Sequence, residues 1–265
     1  MQIIGLKHYD DIQVPISREE VAEIGRLVGE AAAALFPGCE VEIMGSYRRG
    51  APSSHDVDCL ITNTRFNDTI PKNCVADVIR KLANEKTLVD HPAWLMNSDK
   101  KAAQYKGELF YHDDEQQFDY DDPADERENL EEINKAKANQ SYMGVARVAS
   151  MSGLCRLVDI KWYPYKQRAF AQLYFTGNAY FNRSMRLYSK IIGHSLSDRG
   201  LIKTQRKYIG GKYQVLAKKT SLPATTEADM FRLMGLEYRA PNERNTYDVV
   251  ATAVLGTPKG EAKIA

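Results

Sequence analysis

Between residues 45 and 62 the chain places a glycine-serine turn, two arginines and two carboxylates in one short run. The run reads Gly45-Ser46-Tyr47-Arg48-Arg49-Gly50 and then His55-Asp56-Val57-Asp58-Cys59-Leu60-Ile61-Thr62. On a strand, side chains at i and i+2 share a face, so Asp56 and Asp58 stand side by side while Val57 and Leu60 are left for a core. Two carboxylates so placed repel unless a cation lies between them, and hard divalent ions such as Mg²⁺ take that kind of oxygen site together with phosphates. The residues just upstream offer what a triphosphate needs: backbone N–H groups at Gly45 and Ser46, a hydroxyl, and planar bidentate donors. Alone, an Asp-x-Asp is commonly a polar strand end and an Arg-Arg pair a solvated surface. Their conjunction in this order, with nine residues between Ser46 and Asp56, is what points to metal and phosphate chemistry.

A third carboxylate stands out in Leu157-Val158-Asp159-Ile160-Lys161. An unpaired carboxylate in an apolar strand is costly, so Asp159 must be protonated, paired or coordinating a metal.

The elements that must position these groups can be read from periodicity. Ser17 and Glu20 form a capping box, and Val21, Ile24, Leu27, Val28, Ala31 and Leu35 recur at helical spacing until Pro37-Gly38, which predicts a helix over 17–36. Val41 and Ile43 alternate with Glu40 and Glu42 into the Gly-Ser turn, Val57 to Ile61 reads as a strand, and 73–84 as a second helix. Residues 97–140 are the least core-like part, rich in Asp, Glu, Lys, Asn and Gln, with the turn element Asp122-Pro123 and little apolar periodicity apart from a helical pattern near 124–138. Tyr142 to Val148 and Leu154 to Pro164 read as paired strands, Ala169 to Leu173 as another strand, and a helix begins near Ala179.

The 265 residues, 43% hydrophobic, suffice for two modest domains. Cys39, Cys59, Cys74 and Cys155 are scattered, with no Cys-x-x-Cys pair; the spacing predicts neither a zinc site nor a disulfide scaffold and fits a reducing compartment. No signal peptide, long apolar run or lipidation motif is visible, so a soluble intracellular chain without a membrane partner is expected. No compact basic cluster marks nuclear import. The net charge of +1 conceals polarity: residues 108–132 carry twelve Asp or Glu and one Arg, whereas 156–219 carry fourteen Lys or Arg and two Asp. Clustered basic side chains are what a phosphate backbone requires, although a soluble domain can carry a basic face without it.

The segment from Gly45 to Thr62 resembles the nucleotidyltransferase signature, and more narrowly the palm of family X DNA polymerases, closest to the lambda-like members. Three further segments carry the resemblance: Gly5-Leu6-Lys7-His8-Tyr9-Asp10-Asp11; Tyr174-Phe175-Thr176-Gly177 running on to Phe181-Asn182-Arg183-Ser184-Met185-Arg186; and Glu237-Tyr238-Arg239-Ala240-Pro241-Asn242-Glu243-Arg244. It extends in order from near residue 5 to about 245, with 97–140 as an insertion. The implied fold is α/β (α+β): a palm with a mixed sheet and helices over 17–165, a small α/β thumb over 166–265, and the end of a fingers linker over 1–16. The implied activity is template-directed addition of deoxynucleotides to a primer 3′-hydroxyl in gap-filling repair, with two Mg²⁺ ions, or Mn²⁺, on Asp56, Asp58 and Asp159.

By the same resemblance Gly45, Ser46, Arg49 and His55 would contact the triphosphate. Tyr174, Phe175 and Gly177 would line the sugar, and Asn182 would read the minor-groove edge. Arg183, Arg186 and Lys161 would meet DNA, and Arg48 would either join Arg49 at the triphosphate or be structural. The implied partners are gapped or broken DNA, deoxynucleoside triphosphates and end-joining or excision-repair proteins, for a nuclear monomer. One departure is Pro15, which stands where lambda-like members carry an arginine that reaches the triphosphate. The lyase and helix-hairpin-helix segments of the family find no counterpart in this sequence. Three other readings therefore stay open: a DNA-binding remnant or truncated fragment that does not polymerise; a template-independent terminal transferase, which His55-Asp56 favours and Tyr174-Phe175 disfavours; and a nucleotidyltransferase acting on RNA ends, which the Tyr174-Phe175 sugar gate disfavours.

Overall fold

The computed structural model describes residues 7–90, 141–209 and 212–245. The acidic insertion expected at about 97–140 and its helix near 124–138 lie outside the described residues. In chain order the elements are α1 (Tyr9–Gln13), β1 (Ile16–Ser17), α2 (Arg18–Leu35), β2 (Cys39–Ile43), α3 (Gly45–Arg48), β3 (Ser53–Ser54), β4 (Asp56–Asn63), α4 (Cys74–Asn84), β5 (Leu88–Asp90), β6 (Ser141–Arg147) and β7 (Cys155–Trp162). There follow α5 (Arg168–Thr176), α6 (Ala179–Ile191), β8 (His194–Ser197), β9 (Gly200–Ile209), β10 (Lys212–Ser221) and α7 (Glu227–Leu233).

The Ser17 hydroxyl accepts from the Glu20 amide at 3.2 Å and opens α2, as the sequence predicts. The reciprocal half of the expected capping box is not made. The Glu20 carboxylate is drawn instead to Arg156 of β7, at 2.9 Å, where both are buried. A bidentate guanidinium offers a buried carboxylate more than a single backbone N–H does.

β2, β4, β7, β6 and β5 form a five-stranded mixed sheet in that order, parallel between β4 and β7 and antiparallel elsewhere. Alternation along β4 sends Val57, Cys59 and Ile61 to one face. There they join Val158, Ile160 and Trp162 of β7, the apolar stripe of α2 and that of α4 in one core. Leu60 lies on the opposite face and is buried with Met44, Tyr163 and Ala171, so the face that carries Asp56 and Asp58 is closed over at its far end.

A second core gathers Phe170 and Leu173 of α5, Phe181 and Met185 of α6, and Met230 and Phe231 of α7 beside the antiparallel sheet β8-β9-β10. The strand expected over Ala169–Leu173 is a helix. Phe170, Leu173 and the fully buried Thr176 recur every three residues, while Ala171 turns to the sheet side, so two cores claim different flanks of one helical rod. Short apolar runs of this kind do not distinguish strand from helix by pattern.

Candidate active site

Parallel register sets Asp58 beside Asp159 and Asp56 beside Leu157, so the three carboxylates share one edge of the central strand pair. Asp56 is exposed at the mouth of β4; Asp58 and Asp159 are half-buried. The Gly-Ser turn is locked to this edge. The Met44 amide donates to the Asp58 carbonyl at 2.8 Å, and Gly45 has φ +57°, with a Cβ at that position overlapping Asp58 Oδ2. Glycine is thus required twice at residue 45, by conformation and by space. The Ser46 hydroxyl donates to Ser54 of β3 at 2.8 Å. From the opposite side Arg18 lies 4.0 Å over the Tyr47 ring and donates to the carbonyls of Tyr47 and Ala51. Pro15 is exposed, and Arg18 is the nearby arginine that reaches the turn.

Arg48 and Arg49 both reach Thr176 and from there go to different partners. Arg49 donates to the Thr176 carbonyl at 2.9 Å and to Asn245 Oδ1 at 2.8 Å. Burial draws its pKa down, against the charges of Asp58 and Asp56. Arg48 turns away from the carboxylates to Thr176 Oγ1 and makes a bidentate pair with Glu227 of α7 at 3.0 and 2.8 Å. Glu227 also accepts from Arg244, a wholly buried side chain that donates to the Arg239 carbonyl and is enclosed by Phe181, Phe231 and Tyr238. Burial alone would raise the Glu227 carboxyl, but the hydrogen bonds from Arg48 and Arg244 hold it below the usual range.

Lys161 donates to Asp159 Oδ2 and lies 4.8 Å from the Phe175 ring centre, inside the carboxylate cluster. Burial, then the charges of Asp56 and Asp159, push the Asp58 carboxyl up to about 7, with Lys161 and Arg49 opposing. Asp56 is raised as well, by desolvation among its neighbours and then by Asp159, although its own surface stays exposed; His55 and Lys161 oppose the shift. The larger effect falls on Asp58, which is less exposed. Asp56 and Asp58, raised in this way, have too little positive charge beside them, and the all-oxygen donors of the cluster fit Mg²⁺ or Mn²⁺.

Tyr174 and Phe175 stand at the C-terminal end of α5, stacked edge to face, with Phe175 against Tyr163. Gly177 ends the helix in an extended conformation, and Asn182 of α6 donates back to the Tyr174 carbonyl at 2.7 Å. A Cβ on Gly177 would collide with the Asn182 and Phe181 side chains. Arg186 lines a shallow cleft with Tyr174, Asn182 and Met185, while Arg183 is exposed one turn earlier beside Tyr180. His55 is exposed at the edge of the carboxylates.

The sequence-predicted residues thus fall into two groups: Gly45, Ser46, Arg49, His55 and Lys161 around the carboxylates, and Tyr174, Phe175, Gly177, Asn182, Arg183 and Arg186 along α5 and α6. Sequence reasoning did not foresee Glu227 and Asn245 as partners of the two arginines. The signal was the Arg-Arg pair itself, since adjacent positions on a turn point about 100° apart and need separate carboxylate or amide partners.

Residues 15–120 match the family model of the DNA polymerase beta palm and residues 171–245 that of the DNA polymerase beta thumb. The chain belongs to the family X DNA polymerases, in their palm and thumb region, with the α/β architecture described above. Among curated proteins it is 36% identical over 248 residues to DNA polymerase lambda of Rattus norvegicus, covering 92% of this chain and 35% of that protein. It is 28% identical over 258 residues to DNA-directed DNA/RNA polymerase mu of Homo sapiens (92% and 44%) and 27% identical over 272 residues to DNA nucleotidylexotransferase of Ambystoma mexicanum (92% and 44%). The chain therefore spans less than half the length of these relatives. No helix among the described residues is long and apolar enough to cross a membrane.

Proposed function

We propose that the chain is the catalytic part of a template-directed DNA polymerase, adding deoxynucleotides to a primer 3′-hydroxyl in gap-filling repair. The observation that carries this reading is the parallel register that sets Asp58 beside Asp159, with Asp56 on the same edge and Gly45 packed against Asp58. Asp56, Asp58 and Asp159 would hold two Mg²⁺ ions, or Mn²⁺. Bound there, the ions supply a lower pKa at the primer hydroxyl and charge neutralisation at the departing pyrophosphate.

The remaining work falls to this chain's own residues. The backbone amides at Gly45 and Ser46, the Ser46 hydroxyl and the His55 region bind triphosphate oxygens. Arg49 joins them by exchanging the Asn245 amide oxygen for phosphate, a stronger, charged acceptor. Lys161 releases Asp159 as the site fills. Tyr174, Phe175 and Gly177 present backbone and ring edges to the sugar, so a 2′-hydroxyl meets a steric and polar mismatch. Asn182 reads the minor-groove edge, where acceptors are common to all base pairs, and Arg183 and Arg186 bind the template backbone. In this reading residues 1–16 are a linker, 17–165 the palm and 166–265 the thumb. The protein works as a nuclear monomer on gapped or broken DNA, with excision-repair or end-joining proteins.

A second reading has its own support: Arg49 and Asp159 are both engaged within the chain, by Asn245 and Lys161, which suits a DNA-binding remnant. Extension of a primer across one-nucleotide-gapped DNA separates the two. Template-matched addition in Mg²⁺, lost in Asp159→Ala, supports the polymerase. DNA binding without addition in either ion supports the remnant, and equal addition without template supports a terminal transferase.

A further inference from the structure

His8, Asp11 and Cys155 are the His/Cys/Asp/Glu group among the described residues whose ligand atoms, one nitrogen, one oxygen and one sulfur, lie within 4.8 Å of one another. Cysteine spacing gave no hint of this, because the ligands come from two distant segments. His8 caps α1, Asp11 follows one turn later on the same face, and Cys155 is the first residue of β7. His8 and Cys155 are buried and Asp11 half-buried.

The group is held from several sides. The Cys155 amide donates to Asp11 Oδ2 at 2.9 Å, and Arg156 ties the carbonyls of Asp11 and Val14 while its other edge pairs with Glu20. The segment bearing two of the ligands is therefore fixed on the strand bearing the third.

We propose that His8, Asp11 and Cys155 form a Zn²⁺ site that staples the segment before α2 to the start of β7. A mixed sulfur, nitrogen and oxygen set selects borderline-soft Zn²⁺ over Mg²⁺, and three protein ligands leave one position for water. Tetrahedral bonds of about 2.0–2.3 Å place ligand atoms roughly 3.6 Å apart, so the side chains need close in by little more than 1 Å. Arg147, whose Nη2 lies 2.9 Å from Cys155 Sγ, would remain as an N–H donor to the metal-bound thiolate and offset its charge. Four residues of strand, about 13 Å, separate Cys155 from Asp159, so the two sites load independently.

The test uses the full chain, stripped with chelator, reloaded with one equivalent of Zn²⁺ in excess Mg²⁺ so that the carboxylate site carries Mg²⁺, and desalted, with bound zinc measured by mass spectrometry. About one equivalent is expected, together with a rise in melting temperature, since binding to the folded state alone stabilises it. Co²⁺ in place of Zn²⁺ should give a thiolate-to-metal charge-transfer band. Cys155→Ser should lose that band and weaken Zn²⁺ binding at least about tenfold, as should Asp11→Asn, whereas Asp159→Ala should bind as wild type. Substoichiometric metal in the wild type, or a Co²⁺ complex without a thiolate band, overturns the assignment whether or not the variants fold. So does full retention by a folded Cys155→Ser; the cluster would then be a thiol donating to the Asp11 carboxylate.

Discussion

Replacing Glu227 with alanine isolates the contact that joins the Gly-Ser turn to α7. Glu227 is 6% exposed and accepts three hydrogen bonds, two from Arg48 and one from Arg244. Truncation leaves Arg244, 0% exposed, with only the Arg239 carbonyl and its aromatic enclosure among the described residues, while Arg48, 21% exposed in its side chain, keeps Thr176 and regains water. Removing one partner of a buried ion pair costs about 3–5 kcal/mol; the rehydration open to Arg48 puts this case near the lower end. At roughly 2–4 °C per kcal/mol for a chain of this size, the melting temperature should fall by about 6–12 °C.

The same contact fixes the pH dependence. The Glu227 carboxyl is held below its ordinary 4.5, so its contribution is complete above that pH and is lost as pH falls through the lower folded-state value. Urea titrations of wild type and Glu227→Ala from pH 7 to pH 3.5 should give a constant difference down to about pH 5 and a shrinking one below it. A difference under about 1 kcal/mol at pH 7, or one that persists undiminished at the acid end, refutes the assignment of a charged, buried Glu227.

Gly45→Ala should abolish primer extension by forcing Asp58 aside and should cost about 1–2 kcal/mol through its left-handed backbone; a melt and a gapped-primer assay report the two effects separately. Arg49→Ala should raise KM for the nucleotide about 10–100-fold with DNA affinity little changed, whereas Asn245→Ala, by releasing Arg49, should lower it about fivefold; steady-state kinetics and DNA titration read both. Asp58 binds protons more tightly in the folded than the unfolded chain, so in chelator the stability it contributes is full below about pH 4 and is lost as pH rises through about 7. Mg²⁺ should restore the melting temperature at pH 8 in wild type and less in Asp58→Asn, in a thermal scan across pH.

The carboxylate site was legible because its chemistry is local: Asp56, Asp58 and the Gly-Ser turn lie within fourteen residues, and the polarity of Asp159 contrasts with its own strand. Helix α2 was legible for the same reason, through its cap and its stripe. The α5 helix was misread because Ala-Phe-Ala-Gln-Leu carries no period that separates helix from strand, and burial on two sides decides it. The partners of Glu20, Arg48 and Arg49 were hidden by distance. Arg156, Glu227 and Asn245 lie more than a hundred residues away, and nothing in a sequence records which of several charged side chains will meet in space.

Asp58 and Asp159, neighbours in the sheet, are 101 residues apart along the chain. Contacts of such separation carry the larger loop-closure cost, so nearer pairings such as β2 with β4 and β6 with β7 are expected to form first. Mutual repulsion among the carboxylates is then absent from most of the folding route and is felt only when the central strands close. Its effect falls on the rate at which the finished sheet comes apart rather than the rate at which it assembles. A cation that relieves the repulsion would accordingly act as a brake on unfolding, lengthening the life of the native state without hastening its birth.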